Sequence, residues 1–231
     1  MVPLTSFEFM MEHISNRLCP ESSTNLDARR YRMIGIVFAP PDEPLAKSEI
    51  VPQLANWHIH SGQHIDFFFA GYEKKENLGF DGDPRFRKVA IPGAEGWNWM
   101  FSDEVFHELR KSMQERTRWR YSGASDLLLT NAEWDRESSQ ANIDFTSTML
   151  CHLAAMKREG AIGGVGEFFG SIFNRVESAP SGDPTWGFSE THAHKLVGNV
   201  LEQFTLALLP RSVATEMKRA KHFVVGDVGR R

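Results

Sequence analysis

Three short apolar runs constrain this chain more than any other feature. Residues 33–39, 65–70 and 125–130 are six or seven residues long, the first two almost unbroken by polar side chains and the third centred on Leu127 to Leu129, and each is bounded by turn-forming residues. Runs of that length and purity read as strands buried on both faces, because a strand with one wet face alternates apolar and polar. Pro40 and Pro41 close the first run, and Ser61-Gly62 and Ser122-Gly123 stand shortly before the second and third.

Between the runs the apolar period changes from 2 to about 3.6. Residues 45–60 place Ile50, Leu54 and Trp57 at helical spacing, and 101–121 place Phe106, Leu109 and Met113 on one face behind Ser102 as N-cap. At the start, Thr5 with Glu8 forms a capping box before Phe7, Met10, Met11, Ile14 and Leu18. Strand, helix, strand, helix, strand is the grammar of a parallel sheet. We therefore expect an α/β three-layer domain with a short, mainly parallel central sheet. Residues 141–158, 162–176 and 189–209 all show helical spacing, which makes the C-terminal half helical, with 222–228 offering a fourth strand.

At 231 residues, with 41% hydrophobic and 24% charged side chains, the chain reads as one domain spanning 1–231 with a real core. A net charge of -4 supplies no global attraction to nucleic acid or anionic lipid. Cys19 and Cys151 form no CxxC pair and suit a reducing compartment. Residues 1–12 lack a basic n-region, and no run approaches the length of a membrane span. The expected protein is soluble and cytoplasmic, with no membrane partner, and is a monomer or homodimer.

In open parallel sheets, ligands bind beyond the carboxyl ends of the strands. That rule selects Asp42 and Glu43 after the first strand, Tyr72, Glu73 and Lys74 after the second, and Asn131, Glu133, Asp135 and Arg136 after the third. The candidate ligand-binding set is Asp42, Tyr72, Glu73, Asn131, Glu133, Asp135 and Arg136. Turn and helix-start chemistry also places acidic residues in such positions. Residues 71–100 read as a long loop over this edge, either a binding loop or a small hairpin around Val89 to Ile91 that covers the sheet.

Other groups have structural readings at least as good. His58, His60 and His64 are the densest histidine cluster, but they lack the i,i+4 spacing of a zinc helix and suit the last turn of a helix. Asp66 and Asp126 follow their Ser-Gly turns at similar distances and read as acceptors for loop hydrogen bonds. Gly160 to Gly166 follows a helix and lacks the Lys-Ser/Thr of a phosphate loop, so close packing is its expected use. Arg116, Arg118 and Arg120, interleaved with Trp119 and Tyr121, keep nucleic-acid binding as a minor alternative.

No cofactor signature and no catalytic motif occurs, GxSxG and HExxH included. Two functions follow as expectations. The first is a binding or accessory protein whose small-molecule or protein partner sits at the carboxyl edge of the sheet. The second is a metal-assisted phosphoester or nucleotide hydrolase with Glu73, Glu133 and Asp135 as oxygen ligands.

Overall fold

A computed structural model describes residues 2–19, 31–60, 65–76, 83–92, 97–135, 137–146, 148–177 and 225–229. The elements follow in the order β1 (Val2–Leu4), α1 (Phe7–Leu18), β2 (Tyr31–Phe38), α2 (Leu54–His60), β3 (Ile65–Ala70), β4 (Tyr72–Glu76), β5 (Arg87–Val89) and β6 (Trp97–Phe101). Then come α3 (Asp103–Arg116), β7 (Asp126–Asp135), β8 (Gln140–Ile143), β9 (Met149–His152), α4 (Leu153–Arg158), α5 (Val165–Glu177) and β10 (Val225–Asp227). A π-helical turn over Ala46–Ile50 and a 3-10 turn over Val51–Gln53 lead into α2.

The main sheet runs β1-β3-β2-β7-β9-β10, with β8 also paired to β7. Among the described residues only β1–β3 and β2–β3 are parallel; β2–β7, β7–β8, β7–β9 and β9–β10 are antiparallel. The expectation of a mainly parallel sheet is therefore wrong, and the reason lies in α3. A parallel crossover needs a helix that carries the chain back to the starting end of the sheet. Instead α3 runs across it: Ser102 N donates to Gly71 O at the end of β3 (2.9 Å), and Arg118 N donates to Val228 O beyond β10 at the opposite edge (2.7 Å). Fourteen helical residues span about 21 Å, close to four strand spacings of about 4.8 Å. The residues after α3 then bring the chain to the end where β2 and β3 finish, and β7 starts there and runs the other way, pairing Phe38 with Asp126 and Tyr31 with Glu133.

A helical C-terminal half is also corrected within 141–158. That segment contains β8, β9 and only then α4. β9 passes into α4 without a break, so the apolar residues of a short strand and a short helix merge into one pattern. β8 pairs with the far half of β7 and β9 with its near half. Between them the Asp144 N–H donates to Asn131 O (2.8 Å) and Thr130 Oγ1 donates to Asp144 O (2.7 Å), which keep the chain against β7. The segment 189–209 lies outside the described residues. Residues 225–227 form β10, antiparallel to β9.

Helices cover both faces. On one, His13 of α1 meets Phe68 edge-on, and Phe106 of α3 and Trp119 pack on Phe38. On the other, Trp57 stacks on Phe169 of α5 at 4.4 Å, and Phe67 packs against Phe169 and Phe173. Gly35 is required there, since a Cβ would enter the Phe67 ring. Gly71, at φ 84°, turns the chain from β3 into β4, where a Cβ would lie 2.9 Å from Cβ of Phe106. The segment 71–100 builds a second sheet, β4-β6-β5, wholly antiparallel. Among the described residues no helix is long and apolar enough to cross a membrane.

Candidate functional site

Reversing β7 divides the predicted site between two ends of the sheet. Asp42, Tyr72 and Glu73 stand at the end where β2 and β3 finish, whereas Asn131, Glu133 and Asp135 belong to the far half of β7, opposite Met33 and Tyr31 at the start of β2. Arg136 lies outside the described residues.

Asp42, Tyr72, Glu73 and Asp135 each have a local occupation. Asp42 is exposed and forms an ion pair with Arg87, which also approaches Asp103 at 3.7 Å. Tyr72 is buried, donates its hydroxyl to Ala39 O (2.9 Å) and meets Phe101 edge-on. Burial raises its phenol well above the ordinary tyrosine range. Glu73 pairs with Lys75 at 3.1 Å. Glu133 is exposed. Asp135 accepts from Glu137 N (2.9 Å) and Ser138 Oγ (2.7 Å), closing the β7–β8 turn in which Ser139 has φ 53°. Asn131 is buried with its Oδ1 unpaired. The ligand set Glu73, Glu133 and Asp135 is not brought together, and among the described residues no group of three His, Cys, Asp or Glu is placed to hold a metal.

The other sequence candidates are likewise placed. His58 and His60 fall in the last turn of α2, and His64 lies outside the described residues. The glycine segment turns α4 into α5, where Glu49 accepts from Val165 N (2.8 Å) and pairs with Lys157 (3.2 Å). Arg116 lies 4.0 Å over the Phe7 ring and donates to Ser112 Oγ (2.6 Å). Arg120 donates to Trp119 O (2.8 Å).

What the structure gathers at the end where β7 begins is a different group. Asp126 has no exposed surface and accepts from Trp119 Nε1 (3.1 Å), Ser122 N (3.0 Å) and Ser122 Oγ (2.8 Å). The fourth donor is His152, whose Nδ1 lies 2.7 Å from Oδ1. β9 pairs His152 directly with Asp126, which puts both side chains on one face of the sheet. The imidazole keeps 23% of its side-chain surface exposed. Beside this pair, Glu43 accepts from Ser125 Oγ (2.5 Å) and Ala46 N (2.8 Å), tying the turn after β2 to the start of β7. Tyr121 is half-buried next to them. Burial, then Asp126 and Glu43, raise its phenol against the pull of Arg110, whose guanidinium lies 5.8 Å from the ring. Arg110 and Arg120 also line an open depression of about 530 Å³ on α3, with His107, Glu108, Lys111, Gln114 and Glu115.

Sequence reasoning placed Asp126 as a loop acceptor, and the Ser122 bonds are of that kind. It missed His152 and Trp119, because the pairing that brings His152 to Asp126 exists only once 149–152 is a strand.

Comparison with protein-family models, with curated proteins and with solved structures finds no match.

Proposed function

We propose that this chain is a binding or accessory protein whose small-molecule or protein partner docks at the end of the main sheet where β2 and β3 finish and β7 begins. The observation that carries the reading is His152, a partly exposed imidazole seated on a fully buried carboxylate. A buried carboxylate must be compensated by donors, and a turn needs only those from Ser122. The additional bonds from Trp119 and His152 fix a polar group at the surface in one orientation. Arg110 and Arg120 beside Tyr121 suit an acidic group on the docking molecule. Metal-assisted hydrolysis has no comparable support, since its proposed ligands stand at opposite ends of the sheet.

Amide chemical-shift mapping with a library of small acidic and neutral fragments tests this. Binding fragments should move the amides of residues 119–126 and 151–153. Hits confined to the other end, around Arg32, Asp66 and Asn131, would overturn the assignment.

A further inference from the structure

Outside ligand docking, the Asp126–His152 pair has an arrangement suited to chemistry. A carboxylate surrounded by four donors serves as acceptor, so the proton of the neutral imidazole resides on Nδ1 and the lone pair on Nε2. Nδ1 is turned in to Asp126, while the ring as a whole reaches the surface. The described nucleophilic groups around it are otherwise engaged or held back. Cys151 points to the opposite face, and burial, then Asp126, push its thiol up; the Tyr121 phenol is raised as well. Ser122 Oγ is occupied with Asp126, and Ser125 Oγ with Glu43.

We propose that His152 is a general base, with Asp126 as its positioning residue, acting on an O–H or N–H group of a molecule docked at this end of the sheet. In the step, the ligand's O–H or N–H bond breaks, its electron pair stays on the ligand, and the proton forms a bond to Nε2. The resulting imidazolium faces the Asp126 carboxylate. No oxidant or metal is needed. The inference rests on the docking reading for the arrival of that molecule, while the state of the ring is measurable without it.

The probe is diethyl pyrocarbonate, which a neutral imidazole attacks through its free nitrogen. The N–C bond forms at Nε2 as the anhydride C–O bond breaks, and the leaving ethyl carbonate takes up the proton lost from the ring and breaks down to carbon dioxide and ethanol. His107 is an internal control, because it is exposed and its Nδ1 faces the Asp103 carbonyl (2.6 Å) rather than a carboxylate. If exposure governs, His107 is modified first. If the carboxylate activates the ring, His152 is modified first, and Asp126→Asn slows it by on the order of tenfold or more while leaving His107 unchanged. Nitrogen-15 shifts of the wild-type rings provide a second readout that needs no variant to fold: His152 should show a protonated Nδ1 and an unprotonated Nε2. A protonated Nε2, or modification of His152 no faster than His107, would overturn the proposal. Fragment shifts at the other end of the sheet, with both His152 signatures intact, would remove the docking reading alone. Loss of both signatures with fragments still docking at residues 119–126 would remove the general base alone.

Discussion

Asp66 shows how one buried residue sets a pH limit on the fold. Burial works to raise its carboxyl, but the nearby His13 ring, 3.9 Å away, and the Arg32 guanidinium hydrogen-bonded to it outweigh that and hold it below the ordinary value of 3.8. A depressed carboxylate contributes stability that is fully present above its unfolded value and is lost as pH falls through the folded one. Thermal melts should therefore show stability turning down below about pH 3.8, with the Asp66 share of that slope missing in Asp66→Asn. The same variant removes the carboxylate with which the buried Arg32 pairs. At neutral pH the cost should be about 3–5 kcal/mol by urea denaturation. Gly35→Ala forces Phe67 from its place and should cost about 1–3 kcal/mol in the same measurement.

Among the elements, α3 decides the most. Its N-cap was legible from sequence: Ser102 Oγ accepts from Val105 N at 3.3 Å, as the Ser before an apolar stripe implies. Ser102→Ala should cost about 1 kcal/mol in denaturant melts and accelerate amide exchange in the first turn of α3. The direction in which α3 crosses the sheet was not legible, because an apolar stripe identifies the buried face of a helix and says nothing of the strands it spans. The hairpin β7–β8 gives a contrasting case. Asp135 was selected as a ligand, but its carboxylate closes a turn. Asp135→Ala should quicken amide exchange at residues 137–140 and leave fragment-induced shifts at Asp126 and His152 unchanged. Loss of those shifts would return Asp135 to the site. Of the second sheet, the sequence offered only a small hairpin around Val89 to Ile91, because β5 has three residues, two of them exposed, too few for a period to show.

For the whole molecule, the three apolar runs did become neighbouring central strands, since β2 lies between β3 and β7. Burial on both faces removes the alternation that would mark an antiparallel strand, so the pattern of β7 is the same whichever way it runs. That ambiguity, and not any misread residue, joined Asp42, Tyr72 and Glu73 to Asn131, Glu133 and Asp135 in one site. With β7 reversed, its first residue Asp126 comes to the end where β2 and β3 finish, and β9 returns to bring His152 beside it. Interstrand nuclear Overhauser contacts between β2 and β7 measure that direction most directly. Contacts linking Phe38 with Asp126, Gly35 with Leu129 and Tyr31 with Glu133 are predicted. Contacts linking the end of β2 with residues 131–135 would instead make the strands parallel, reunite the carboxylates at one edge and dissolve the site around His152.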